Sequence, residues 1–360
     1  MPDSRKTLIL GDLHLGCRNV NGFFMDLQRK FFRDVLFPKI KSENIREVVQ
    51  LGDVLDNRSG VSFLTSKFLF EFLGWFEENN VKLYILAGNH DTFYKNTLDI
   101  VGIKQFEDMY RNIRVVTEPE IVHGNFLIVP WMCDENRESI LGAIERCDPK
   151  SVAYLFGHFE LSDFPVNRSV VAKEGQFEVE FVKKFRTVFS GHYHTPSEKG
   201  NIVYVGTPYG FTWNDHGDRK RFFVLDQETG ETEEVLTGMN PFVSVIYDES
   251  LYDSDLSVYR DKIMKIVLTE DFDETKYDIF LQKLEQQGKP YKIQTIDARG
   301  KESLAQTIEE NLDGITLEAP LDILSRTISG LDTTEDGKTF IQKEINEIYR
   351  ITMEQNERLL

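Results

Sequence analysis

The sequence predicts an α/β fold in which short strands feed polar loops and helices return between them. Three observations predict it. Apolar runs of strand length recur and end in glycine, amphipathic stretches separate the first of them, and the residue after the glycine is of a metal-ligand type. The simplest architecture for this pattern is two β-rich layers flanked by helices, with the chemistry at the carboxyl ends of the strands.

Residues 7–10, 47–51 and 82–86 are the first three apolar runs, leading to Gly11, Gly52 and Gly88. Between them, 23–40 predicts a helix, with Leu27, Phe31, Val35 and Phe37 near helical spacing. Residues 63–76 predict a second helix, so apolar that it fits burial in the domain and a dimer contact about equally well. Runs at 126–131, 152–156 and 187–190 follow, and the last two end at Gly157-His158 and Gly191-His192. Runs at 201–205 and 221–226 complete a second set of strands, closed by a turn at 226–230.

Near residue 238 the texture changes. A run at 265–269, a helix at 277–287 and a run at 291–296 predict a small α+β unit. From Lys301 the pattern is helical. Residues 338–360 place Ile341, Ile345 and Ile348 on one face with Tyr349 and Met353 beside them, an amphipathic helix whose apolar side needs a partner surface. The expected organisation is a main domain over 1–238, a capping domain over 239–300 and a helical segment over 301–360.

The chain has 360 residues, enough for one large domain with appendages. No apolar run approaches the roughly eighteen residues of a membrane span, and the start of the chain carries no signal core. Cys17, Cys133 and Cys147 are widely spaced and form no paired motif, which fits a reduced, cytoplasmic setting. The net charge of −18 argues against a nucleic-acid binder. The acidity is skewed, however, with about −11 in the last third and roughly −7 in the rest, and bound cations would offset carboxylates locally.

Five phrases carry the chemistry: Gly11-Asp12-Leu13-His14, Gly52-Asp53-Val54-Leu55-Asp56, Gly88-Asn89-His90-Asp91, Gly157-His158 and Gly191-His192-Tyr193-His194. Five of the chain's seven histidines lie in them. Alone, a Gly-Asp-x-His is an ordinary strand-end turn and a Gly-His an ordinary loop; five such phrases in order, each after an apolar run, are neither. Asp12 and His14, one residue apart, would point the same way on an extended strand end and hold one ion. His192 and His194 could serve one ion each. Asp53 is the natural bridge, Asn89 offers an amide oxygen and His158 a further imidazole. This thiolate-free N/O set suits Mn²⁺, Fe²⁺ or Zn²⁺ better than Mg²⁺ or copper. Two such ions would clamp a phosphate and activate water near neutral pH. His90 should project away from Asn89 toward the phosphate, as a charge stabiliser or proton donor, with Asp56 and Asp91 orienting neighbours.

Other residues read as ordinary. His123 and His216 lack ligand neighbours, Cys17 is a packed thiol near the first loop, and Trp131 and Met132 belong to the core. Arg219-Lys220-Arg221 is a small basic cluster, either solvated or against a phosphate backbone.

The five phrases resemble the signature of the calcineurin-like metallophosphoesterases. More specifically, Gly11-Asp12-Leu13-His14-Leu15-Gly16, Gly52-Asp53-Val54-Leu55-Asp56, Gly88-Asn89-His90-Asp91, the phrase from Val129 to Asn136 and Gly206-Thr207-Pro208-Tyr209 resemble the DNA double-strand-break repair nucleases. These are the nuclease subunits of bacterial SbcCD-type and T-even-phage recombination complexes. The resemblance covers about residues 7–230. It implies a two-sheet sandwich flanked by helices, with one metal on Asp12, His14 and His194, the other on Asn89, His158 and His192, Asp53 bridging and His90 catalytic. Several relatives carry a histidine where this chain has Asp56, so a contact made by that histidine does not carry over. The resemblance further implies two Mn²⁺ ions and 3′→5′ exonuclease action on duplex DNA with endonuclease action on single strands. It also implies a homodimer through helices near the second and third phrases, and a C-terminal segment that docks on an ABC-type coiled-coil ATPase. The location expected is the cytoplasm, that of the host cell if the chain is phage-encoded. A phosphatase or cyclic-nucleotide phosphodiesterase would share the core but leaves the appendage and tail without a reason. A catalytically silent scaffold is the third reading, and the complete ligand set argues against it.

Overall fold

The computed structural model describes residues 6–168, 170–270 and 272–299. The amphipathic stretch at 338–360 and the whole 301–360 segment lie outside the described residues. The described residues up to Thr295 form one compact unit.

The strands are β1 (Lys6–Leu10), β2 (Glu47–Gln50), β3 (Lys82–Leu86), β4 (Ile113–Val116), β5 (Glu120–Val122), β6 (Phe126–Ile128), β7 (Tyr154–His158), β8 (Thr187–Gly191), β9 (Ser197–Lys199), β10 (Ile202–Tyr204), β11 (Arg221–Asp226) and β12 (Thr232–Leu236). They make two six-stranded mixed sheets, β12-β11-β1-β2-β3-β4 and β5-β6-β7-β8-β10-β9. In the first, β1 to β4 run parallel and β11 and β12 are antiparallel additions. In the second, β6, β7, β8 and β10 run parallel between antiparallel edges. This is the two-sheet α/β sandwich expected.

Alternation of side chains explains why the inner strands read as unbroken apolar runs. Ile9, Val49, Tyr84 and Leu86 of the first sheet meet Phe126, Tyr154, Phe156 and Phe189 of the second in a buried layer between the sheets. Their neighbours Leu8, Leu10, Val48, Leu83 and Ile85 face the opposite way, into a core shared with the helices. Leu127, Leu155 and Val188 do the same on the second sheet, against Ile140 and Ile144 of helix Arg137–Arg146.

The expected helix over 23–40 is three contiguous segments, Gly22–Phe31, Phe32–Leu36 and Phe37–Ser42, the middle one a π-turn. Pro38 has no N–H to give to Asp34, and the Phe37 N–H reaches back to Phe32 instead. The wider turn thus absorbs the proline without ending the helix. Helix Phe63–Glu78 is capped by Ser62, whose side chain accepts from the Thr65 N–H at 3.0 Å. It buries Phe68, Leu69, Phe72, Leu73 and Phe76, but leaves Phe63 96% exposed and Leu64 and Phe70 exposed beside it. The run expected over 126–131 keeps strand pairing only to Ile128, because Pro130 cannot donate to a ladder. Strands β4, β5, β9 and β12 were not anticipated. All are edge strands of three to five residues; β5, β9 and β12 are polar or very short, and β4, though apolar, is only four residues long.

Past residue 240, β13 (Phe242–Ile246), β14 (Ile263–Leu268) and β15 (Lys292–Asp297) form a three-stranded sheet with helix Glu274–Lys283. Met264, Ile266, Tyr277, Phe280 and Leu284 build its separate small core.

Phe156 is fully buried between the two sheets and stacks on Phe189. Phe156→Ala should therefore cost about 3–5 kcal/mol, read as a lower urea midpoint with an unchanged slope.

Candidate metal centre

The seven candidate ligands meet at one end of the sandwich. Asp12 and His14 follow β1, Asp53 follows β2 and Asn89 follows β3. His158 ends β7, and His192 and His194 follow β8. Ligand atoms of Asp12, His14 and His194 lie within 4.8 Å of one another, and those of Asp53, His158 and His192 do likewise. The Asn89 amide oxygen is 3.0 Å from His158 Nε2 and 2.9 Å from His192 Nδ1, so it joins the second group. Asp53 Oδ2 stands between the groups, 3.4 Å from His158 Nε2 and 3.7 Å from His14 Nε2.

Strand alternation does not bring Asp12 and His14 together, contrary to expectation. β1 ends at Leu10, and His14 has a left-handed backbone (φ 45°), as do Asp53 (φ 54°) and His192 (φ 84°). The loops curl back on themselves at some conformational cost, which the surrounding hydrogen bonds offset. Gln50 bonds the Gly11 and Gly52 carbonyls and the Gly52 N–H. Gln28 donates to the Leu13 and His14 carbonyls, and the Tyr209 hydroxyl to Leu13. The Asp91 carboxylate accepts from the N–H groups of Val54, Leu55 and Gly88, tying the second loop to the third. Two glycines permit the close approach. Gly52 has φ 104°, and a Cβ there would lie 2.5 Å from His158 Nδ1. A Cβ on Gly88 would lie 2.2 Å from the Asp53 nitrogen.

Hydrogen bonds set the imidazole tautomers. His158 Nδ1 donates to the Leu51 carbonyl at 2.7 Å, which makes Nε2, facing Asn89 and Asp53, the nitrogen that can bind an ion once its proton is lost. His14 Nδ1 lies 3.3 Å from the Asp56 carboxylate, while its Nε2 faces His194 Nε2 at 3.0 Å. His90 donates from Nδ1 to the Asp56 carbonyl at 2.7 Å, and its backbone N–H donates to Asp53 Oδ1. Asp56 thus touches His14 through its side chain and His90 through its backbone.

The electrostatics call for cations. Asp12 and Asp53 are buried, and among the described residues their ion pairs are with histidines alone. Burial pushes the Asp12 carboxyl up to about 7. His158, against its own burial, is pushed up to about 9 by Asp53 and Asp12. Burial and then the charge of His158 pull His192 down to about 3. Burial likewise holds His194 well below the ordinary imidazole range. Asp56, Asp53 and Asp12 also raise His14 against its burial, and a buried site that favours protons on a carboxylic acid and two imidazoles while keeping others neutral is short of positive charge. The mixed carboxylate, amide and imidazole donors fit two divalent ions.

Other residues fall partly as the sequence reading has them and partly not. Trp131 is not a plain core residue: it is half-buried, with its ring 5.1 Å from that of His192. Met132 is in the core. Cys17, Cys133 and Cys147 are buried free thiols, and burial pushes the Cys17 thiol up to about 12. His123 pairs with Glu47, and His216 Nε2 accepts from the Ser244 N–H. The Arg219-Lys220-Arg221 cluster is not one free basic patch: Arg219 is exposed beside Glu234, and its two neighbours are not. Both neighbours are buried in ion pairs, Lys220, just before β11, with Asp215, and Arg221, at its start, with Glu198 and Glu234. Sequence reasoning missed Phe211, whose ring packs at 5.1 Å on both His14 and His194; a lone phenylalanine in a loop gave no signal.

Fold and site together define a metal-dependent phosphoesterase. The chain belongs to the calcineurin-like phosphoesterases, whose family model matches residues 5–196. It is 32% identical over 231 residues to exonuclease subunit 1 of Enterobacteria phage T4, a match covering 63% of this chain and 66% of that protein, just under two thirds of its length. Among solved structures it is similar to an archaeal phosphodiesterase (13% identity, TM-score 0.33, 64% of this chain and 99% of that one). Another is the Pseudomonas putida nuclease MPE (15% identity, TM-score 0.29, 64% and 87%). Among the described residues, no helix is long and apolar enough to cross a membrane.

Metal ligands must be deprotonated, and here Asp12 and His158 hold protons below about 7 and 9 in the free protein. Metal loading should therefore release protons, and Mn²⁺ affinity should rise steadily from about pH 6 to about pH 9. Titration calorimetry in buffers of different ionisation heat measures both quantities.

Proposed function

We propose that this chain is a two-metal DNA nuclease acting as one subunit of a recombination or repair complex, with Mn²⁺ as the expected ion. The convergence of seven ligand-type side chains around two buried carboxylates carries the two-metal reading. The 32% identity to a phage exonuclease subunit favours a nuclease over other phosphoesterases. Asp12, His14 and His194 would hold one ion and Asn89, His158 and His192 the other, with Asp53 reaching both. Bound there, the ions would supply charge neutralisation and Lewis-acid activation at a phosphodiester. His90 is the proposed catalytic residue. With Nδ1–H committed to the Asp56 carbonyl, His90 would act as the imidazolium, whose second proton sits on Nε2, free to stabilise the phosphate or pass to the leaving 3′-oxygen. Asp56 orients His14 and His90, and Asp91 braces the loops that carry Asp53 and Asn89.

The division proposed is a nuclease domain over 1–238, a capping domain over 239–300 that contacts DNA, and a segment over 301–360 that docks on an ABC-type ATPase. Exposed Phe63, Leu64 and Phe70 on one helix support a homodimer contact. The cytoplasm is the proposed location.

With Mn²⁺, the protein should cut end-labelled duplex DNA from its 3′ ends and cut single strands internally. His90→Ala should lower turnover about 100-fold or more while changing Mn²⁺ affinity little. Turnover of small phosphate esters far faster than of DNA would replace the nuclease reading with a phosphatase, and wild-type cleavage by His90→Ala would remove His90 from the chemistry. Deleting residues 301–360 should leave basal cleavage intact and abolish capture of the ATPase; a truncated chain that still binds it contradicts the docking assignment.

A further inference from the structure

Lys220 is fully buried, and so is its partner Asp215. The Lys220 ammonium donates to Asp215 Oδ1 at 2.5 Å, to Thr207 Oγ1 at 2.9 Å and to the His194 backbone carbonyl at 3.3 Å, with Asp218 Oδ2 also at 3.3 Å. The Thr207 N–H reaches the same His194 carbonyl. The other oxygen of Asp215 accepts from the N–H groups of Phe211 and Thr212, at 3.0 and 2.8 Å, and from the Thr212 hydroxyl. Phe211, anchored in this way, lays its ring against His14 and His194. The ion pair therefore grips His194 twice, at its backbone through Lys220 and at its ring through Asp215 and Phe211.

A buried ion pair adds little net stability compared with an apolar pair of the same volume, because desolvation offsets the attraction. This one is fully hydrogen-bonded and spends two of its contacts on one imidazole loop. Lys220 also holds the Asp215 carboxyl below its ordinary range against the effect of burial, as an intact ion pair must.

We infer that Lys220 and Asp215 are positioning residues that set His194 for one of the two ions, the one shared with Asp12 and His14, and do not act on the other. This rests on the two-ion reading above. The test is Mn²⁺ binding to the full chain, by calorimetry and by the paramagnetic resonance spectrum of the bound ions. The variants are Lys220→Met combined with Asp215→Asn, which removes both charges but keeps the acceptor for the Phe211 and Thr212 amides, and separately Phe211→Leu, which removes the ring alone. Each should weaken one binding event by about tenfold or more and leave the second within about threefold, in variants whose metal-free form still unfolds cooperatively. Should the double variant fail to fold, Phe211→Leu decides by the same readout. Folded variants that bind both ions as the wild type does overturn the inference. A wild-type protein that binds fewer than two Mn²⁺ overturns the two-ion reading and this inference with it.

Discussion

Two buried carboxylates whose ion pairs, among the described residues, are with histidines alone govern this molecule. Asp12 and Asp53 lie where two sheets converge, surrounded by imidazoles that cannot all carry a proton together. A buried anion without a counter-charge is costly, and neutralisation by a proton or a cation is the available relief. Gln50, Gln28, Tyr209 and Asp91 stitch the loops from behind, so the oxygen and nitrogen atoms stay in place while the charge is unmet.

The division of labour follows from that demand. First-sheet loops supply both carboxylates, the amide and His14; the second sheet supplies His158, His192 and His194. Each backbone carbonyl spent on an imidazole, Leu51 on His158 and Asp56 on His90, fixes which ring nitrogen stays free. The acidity of the chain as a whole is a separate matter. It lies largely outside this cluster, and the cluster's own polarity would reverse once divalent ions are in place.

Much of this was legible in the sequence. Strands buried on both faces must be short and apolar, so 7–10, 82–86 and 152–156 announced themselves, and the polar residues after their glycines stood out against that background. Edge strands such as Thr232–Leu236 did not, since one polar strand looks much like a loop. The helix around Pro38 was legible in extent but not in its π-turn, which depends on how one missing N–H is accommodated. Lys220 was unreadable for a different reason. Between two arginines it has the local texture of a solvated surface, and only the folded chain shows that it points inward to Asp215. The left-handed turn at His14 was likewise hidden, because nothing in Asp-Leu-His specifies the sign of φ.

One consequence of the geometry concerns cohesion. Each of the two proposed ion sites draws members from both sheets, so an ion in either would act as a rivet across the seam between them. Ligands that bind only the folded form stabilise it by mass action. The tightness of the sandwich is thus tied to free metal in the surroundings, and a chelator would loosen the protein's architecture at the same moment as it silenced its chemistry.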